Sequence, residues 1–255
     1  MPSAVEARGL VVAYGDRVAL GPSDVDVPAG AVTTMLGPNG SGKSTLLHAI
    51  AGLVEPAGGT LRVLGTTPEA ARPRVAYVFQ SAMVNEALPV TVREVVTMGR
   101  YARLGAFGRL GRIDRAAVTT AMERVDVVEL AGRHLRELSG GQRQAVFVAQ
   151  GLAQEADLLL LDEPITGLDI PAHERIDLVI EEERARGTTV LLTTHDLAEA
   201  ARGDHVLLLG GRVVAQGPPG DVLSAARLAE AYGAALLHGG TLADDPHHHH
   251  HGDPS

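Results

Sequence analysis

The chain has 255 residues and a mass of 26.6 kDa, with 45% hydrophobic residues, 21% charged residues and a formal net charge of −9. That size predicts one large domain, or one domain carrying a smaller inserted lobe, and the composition is that of a globular chain, neither disordered nor fibrous. The absence of cysteine excludes disulfides, thiolate metal sites and a Cys nucleophile. The acidic balance and 3% aromatic content, with no Trp, argue against a grip on nucleic acid.

The first residues, MPSAVEARGLVVAYGDR, interleave Glu6, Arg8 and Asp16 with apolar residues, unlike a signal peptide. No run approaches the roughly 20 apolar residues of a membrane-spanning helix, so a soluble chain in the cytoplasm is expected. Short strands are predicted at 5–14, 24–27 and 31–36, separated by the turn signals Gly21-Pro22 and Pro28-Ala29-Gly30. After the third comes GPNGSGKST and an apolar-periodic helix over 45–53. Two more strands follow at 60–64 and 74–79, the second ending at Gln80.

From 91 to 137 the spacing turns helical, in TVREVVTMGR and DRAAVTTAMERVDVVELAG, with a loose Gly- and Arg-rich stretch at 104–112 between them. This predicts a small helical lobe inserted in an α/β domain. Alternation resumes with DLLLLDEP at 157–164, a helix over 171–186 with Pro171 at its start and Gly187 past its end, and TTVLLTTH at 188–195. HVLLLGGRVVAQG reads as a closing hairpin. Apolar strands alternating with helices imply a largely parallel sheet covered on both faces, with ligand chemistry at the carboxyl ends of its strands. There is no internal repeat, and the one low-complexity tract is the histidine run at 247–251.

Gly37, Pro38, Asn39, Gly40, Ser41, Gly42, Lys43 and Ser44 fit the phosphate-binding pattern GxxxxGK[ST] in its strand-to-helix context. Glycines let backbone N–H groups converge on phosphate oxygens. Lys43 reaches the β and γ phosphates, and the Ser44 hydroxyl suits Mg²⁺. Lys43 is the one lysine of the chain, and a planar arginine cannot replace a compact ammonium there. DLLLLDEP delivers two carboxylates at a strand end: Asp162 to hold Mg²⁺ through water, Glu163 to polarise the attacking water. Gln80 and His195, also at strand ends, project to the same rim, although lone residues of these types are more often structural caps than catalytic groups. Ser139, Gly140, Gly141 and Gln142 make a second helix start suited to anionic oxygens. It lacks a lysine, so it is either a plain N-cap or a contact to a nucleotide held by another copy.

GPNGSGKST, Gln80, LSGGQ at 138–142, LLLLDEP, Gly167-Leu168-Asp169 and His195, in this order and spacing, resemble the ATP-binding subunit of ABC transporters over residues 4–230. The resemblance implies an α/β fold with a P-loop NTPase core and a mainly parallel sheet. It adds an N-terminal antiparallel β subdomain and an α-helical subdomain inserted at about 81–137; beyond the resemblance, residues 231–255 read as a His-rich unstructured tail. It implies ATP and Mg²⁺ as ligands and a second copy of the chain as partner. Each ATP would lie between Gly37 to Thr45 of one subunit and Ser139, Gly140, Gly141 and Gln142 of the other. Tyr14 takes the place of the adenine-stacking aromatic, although an alternating strand tyrosine reads the same way. Gln80 would contact Mg²⁺ and the lytic water and sense the membrane partner. His195 would contact the γ phosphate, and Asp169 would communicate across the dimer.

Ala145, Gln150 and Gly151 depart from the family pattern of Arg, Arg and Ala, which predicts looser ties between lobe and core; Gly151 should cost about 1 kcal/mol of helix propensity. The missing membrane segment points to an importer subunit at the cytoplasmic face of the cell membrane. It would work with separate permease subunits, whose coupling helices the lobe receives, and indirectly with an extracytoplasmic substrate-binding protein. The stretch PVTVREVVTMGRYARLGAFGRLGRIDRAAV resembles the lobe of manganese, zinc and iron-chelate ATPases. Mn²⁺ or Zn²⁺ is the expected cargo, with iron-siderophore or cobalamin import as the alternative. The histidine tail would suit such ions, or is a plain exposed tail or tag. A soluble ATPase of iron-sulfur assembly is a further alternative. Only 57 residues lie between Gln80 and LSGGQ, too few for a DNA-repair coiled coil, and a GTPase would need a second lysine.

Overall fold

The structure is a computed structural model that describes residues 2–79, 89–104, 108–165 and 168–238. In chain order its elements begin β1 (Ser3–Tyr14), β2 (Arg17–Pro28), β3 (Val32–Leu36), α1 (Lys43–Ile50), β4 (Gly58–Val63), α2 (Pro68–Ala71) and β5 (Val75–Val78). The lobe and its successor follow: α3 (Val92–Met98), α4 (Tyr101–Leu104), α5 (Arg112–Arg124) and α6 (Gly140–Ala153). The chain then runs β6 (Leu158–Leu161), α7 (Ile170–Ala185), β7 (Thr189–Thr194), α8 (Leu197–Ala200), β8 (His205–Leu209), β9 (Val213–Gly217), α9 (Pro219–Val222) and α10 (Ala225–His238).

An antiparallel sheet of order β2-β1-β4 stands beside a six-stranded sheet of order β5-β6-β7-β3-β8-β9, parallel except for the β8-β9 hairpin. The parallel strands β3, β6 and β7 are buried at every residue, as strands covered on both faces must be. One face holds Met35, Leu158, Leu160 and Leu207 against Leu46, Leu47 and Ile50 of α1 and against Leu10 and Val25 of the antiparallel sheet. The opposite face is covered by α6 and α7, while Val222 and Ala231 close over Leu36, Val206 and Leu208.

Gly21-Pro22 does not turn the chain, and β2 runs three times as far as the expected 24–27. The register slips between Leu10↔Ser23 and Val12↔Leu20, so the pair lies in a bulge. Proline is tolerated there because β2 is an edge strand, and the Gly21 N–H donates instead to the Gly211 carbonyl at 2.8 Å. Helix α1 starts two residues earlier than expected because Gly42, inside the phosphate-binding loop, is its N-cap.

The lobe helices pack on α6 through Val92, Val95, Val96, Val118 and Met122, in one core with Val146, Ala149, Leu159 and Val190. The capping box of Thr91 and Glu94 starts α3. Buried arginines tie the lobe to the core. The Arg100 guanidinium, with a side chain 4% exposed, donates to Asp114 at 3.0 Å and to the Ala153 carbonyl and Glu155 at 2.7 Å. Arg124 of α5 reaches Glu182 at 2.7 Å and Glu183 at 2.6 Å on α7. Gly151 is also more than a poor helix former: a Cβ there would lie 2.7 Å from Val78 Cγ2 and 3.3 Å from Leu159 Cδ1. Its bare backbone lets α6 lie close on β5 and β6.

Position 231 is not the start of an unstructured tail. Helix α10 continues to His238, because Ala231 is fully buried where its backbone presses on Gly210, at which a Cβ would meet the Ala231 carbonyl at 2.6 Å. The histidines at 247–251 lie outside the described residues. No helix among the described residues is long and apolar enough to cross a membrane.

Candidate functional site

The loop between β3 and α1 is shaped by its glycines. Gly40 and Gly42 take left-handed φ values of 76° and 98°. A side chain at Gly37 would place its Cβ 2.3 Å from the Leu209 carbonyl oxygen. Gly42 offers α1 no side-chain cap, so the first helical N–H groups are left for a ligand. Lys43 is buried, and its ammonium donates to the Gly37 and Pro38 carbonyls at 2.8 and 3.2 Å. Burial lowers the Lys43 pKa, opposed by the charges of Glu163 and Asp162. Ser41 Oγ is buried with no hydrogen-bond partner among the described residues.

The two carboxylates leave the end of β6. Asp162 is buried; its Oδ1 accepts from Thr193 Oγ at 2.8 Å and its Oδ2 from the Tyr77 hydroxyl at 3.3 Å. Glu163 has a left-handed φ of 48°, and its N–H donates to the same Thr193 oxygen at 2.7 Å. Burial, and then the Asp162 charge and hydrogen bond, push the Tyr77 pKa up. The Tyr77 ring meets His48 of α1 edge-on at 5.7 Å, and His48 Nδ1 lies 3.0 Å from the Tyr14 hydroxyl. Burial also lowers the His48 pKa, against the pull of Asp162.

A cavity of about 1010 Å³ is lined by Tyr14, Arg17, Val18, Asn39, Gly40, Ser41, Gly42, Lys43, Ser44, Thr45, Glu163 and Arg212. The structure therefore brings the phosphate-binding loop, Tyr14 and Glu163 to one space, with Asp162 near enough for its charge to act on Lys43. His195 is exposed just past the end of β7. Gln80 lies outside the described residues, as does Gly167. Ser139, Gly140, Gly141 and Gln142 do not line the cavity. Ser139 caps α6, its Oγ accepting from the Gln142 N–H at 3.2 Å while Gln142 Oε1 accepts from the Ser139 N–H at 3.1 Å. Asp169 caps α7, accepting from the Ala172 N–H at 3.0 Å. Among the described residues no group of three His, Cys, Asp or Glu forms a metal cluster.

Sequence reasoning missed Arg17, Arg212, His48, Tyr77 and Thr193. Arg17 could have been found, since it pairs with Tyr14 across the hairpin turn. His48 lies on α1 one turn after Ser44, and Arg212, Tyr77 and Thr193 reach the site only through tertiary packing.

The family model for ABC transporters matches residues 20–166, more than half of the chain and all of the loop, carboxylate and signature-helix region. This chain belongs to the ABC transporter family. It is 41% identical over 231 residues to the zinc transport system ATP-binding protein TroB of Treponema pallidum, spanning 90% of this chain and 87% of that one. It is 37% identical to the manganese transport system ATP-binding protein MntA of Synechocystis sp., with 90% of each covered. It is 46% identical to the hemin import ATP-binding protein HmuV of Streptomyces coelicolor, over 89% of this chain and 82% of that one. Among solved structures, a metal-chelate type ABC transporter in an inward-facing conformation superposes with a TM-score of 0.78 at 28% identity, covering 93% of this chain and 90% of that one. A dimeric ATP-binding cassette bound to ADP and Pi gives 0.75 at 26%, covering 84% and 98%. The chain is thus an ATP-hydrolysing cassette of this family, whose members act as dimers with membrane permease partners.

Proposed function

We propose that this chain is the ATP-hydrolysing subunit of an importer of manganese or zinc ions, working at the cytoplasmic face of the membrane with a separate permease. The observation that carries the cargo is the 41% and 37% identity, each over 90% of the chain, to a zinc and a manganese transport ATPase. An extracytoplasmic protein that binds the ion would deliver it to the permease.

In this reading the backbone N–H groups of residues 39–43, the ammonium of Lys43 and the free Ser41 hydroxyl grip the triphosphate, and Tyr14 stacks on the base. To do so Lys43 exchanges its two carbonyl partners for phosphate oxygens. The donors fit Mg²⁺: a serine hydroxyl at the second residue of α1 and a buried aspartate are hard oxygen ligands, and a cation that size keeps waters beside them. Ser44 and Asp162 would hold it, with Gln80, and it would neutralise charge on the β and γ phosphates. Glu163 orients the attacking water and accepts its proton, His195 contacts the γ phosphate, and Ser139, Gly140, Gly141 and Gln142 of a second copy close over the nucleotide. Asp169 joins the two copies. Catalysis is then positioning and electrostatics rather than covalent chemistry.

The 46% identity to a hemin importer and the likeness to a metal-chelate transporter favour a second reading, import of an iron chelate. Uptake of radioactive manganese, zinc and haem iron in cells lacking the gene separates them. The expected result is lost manganese or zinc uptake, restored by the chain but not by Lys43→Ala. Loss confined to haem iron would move the cargo to the chelate, and undiminished uptake of all three would reject both. A polytopic membrane protein should co-purify.

A further inference from the structure

We infer that Thr193 is a positioning residue for ATP hydrolysis, its single hydroxyl setting the Asp162 carboxylate and the Glu163 backbone in fixed relation to each other. Thr193 is the penultimate residue of β7, the strand beside β6, and is 1% exposed. Its Oγ is 2.8 Å from Asp162 Oδ1 and 2.7 Å from the Glu163 nitrogen. The directions of the two bonds are forced. A backbone N–H can only donate and an ionised carboxylate can only accept, so the hydroxyl proton goes to Asp162 and a lone pair takes the Glu163 N–H.

The place of this bond in the chain matters. The Asp162 N–H still bonds into the sheet, to the Val78 carbonyl at 3.0 Å, whereas Glu163 has left strand geometry for a φ of 48°. A residue with a Cβ occupies that region only when its surroundings hold it there. The Thr193 oxygen is the observed partner of that N–H, and it holds the neighbouring carboxylate with the same atom. One side chain therefore sets both the turn that aims Glu163 into the cavity and the orientation of Asp162. Tyr77 adds a longer bond, 3.3 Å, to the other Asp162 oxygen.

The inference rests on the assignment of Asp162 to the metal and Glu163 to the water, so the test runs both together in the full chain. Thr193→Val keeps the shape and removes both bonds. Residues that orient a metal-binding carboxylate typically change activity or metal affinity about tenfold to hundredfold, and a loss of kcat in that range is expected. The KM for ATP should stay within about twofold, because the phosphate-binding loop is untouched. The Mg²⁺ concentration for half-maximal rate should rise, and Thr193→Ser, which keeps the hydroxyl, should restore both. A merely structural role would lower the yield of folded chain without moving the Mg²⁺ requirement per nucleotide bound. Thr193→Ala gives the same comparison if the valine variant does not fold. If Glu163→Gln hydrolyses ATP normally, the assignment falls and this inference with it. If Glu163→Gln is inert while the Thr193 variants that lack the hydroxyl keep the wild-type kcat and Mg²⁺ requirement, the assignment stands and Thr193 has no positioning role.

Discussion

Helices α1 and α6 both begin on serine- and glycine-bearing loops, yet the two starts are chemically unequal. At α1 no side chain caps the helix, left-handed glycines bend the loop, and the lysine is buried within the field of two carboxylates. At α6 the start answers itself, with Ser139 and Gln142 capping each other on an exposed surface. The Ser139 hydroxyl accepts there, which leaves its own proton free to donate. One start is a nearly complete triphosphate site. The other is a self-satisfied cap that, in the proposed dimer, would close over the nucleotide of a second copy.

The largest effect should come from Lys43→Ala, which removes the one ammonium of the loop: nucleotide binding by the single chain should fall below detection in a titration with a fluorescent ATP analogue. Ser139→Arg should separate the two starts. Binding by the single chain should stay near normal while turnover drops at least about a hundredfold, since a bulky cation replaces a preorganised donor. Normal turnover in that variant, or an active monomer in sedimentation, would show that the α6 start does not complete the site.

Gly151→Ala tests the packing behind that second helix. Alanine should gain about 1 kcal/mol of helix propensity, but the overlap with the stiff Val78 side chain typically costs about 1–3 kcal/mol, so denaturant unfolding should show a net loss. The smallest effect concerns pH at α1. Because burial depresses the His48 pKa below the ordinary imidazole value of 6.5, the unfolded chain binds the proton more readily. Stability is then lost as pH falls from 6.5 towards the folded value and levels off below it. His48→Asn should shrink the drop in melting temperature between pH 7 and pH 5.

What was legible in the sequence was whatever chemistry is local. The phosphate-binding loop is contiguous, and Asp162 and Glu163 are adjacent, so a strand followed by a motif was enough to place them, and the alternation of apolar strands and helices was enough for the parallel sheet. The rest depends on partners far along the chain. Gly21-Pro22 reads as a turn until Gly211 takes its N–H. Gly151 reads as a defect until Val78 comes within reach of its missing side chain. Residue 231 reads as the start of a tail until Ala231 packs on Gly210. Thr193 carries no signal in its own neighbourhood, since its role arises from a neighbouring strand.

The solitary lysine has a practical consequence. With Lys43 6% exposed and lining the cavity, an acylating reagent finds one side-chain amine in all 255 residues, and bound nucleotide should shield it. The extent of acylation at Lys43 itself is therefore a gauge of occupancy. Lysine-based immobilisation or cross-linking would consume the very group that holds the phosphates.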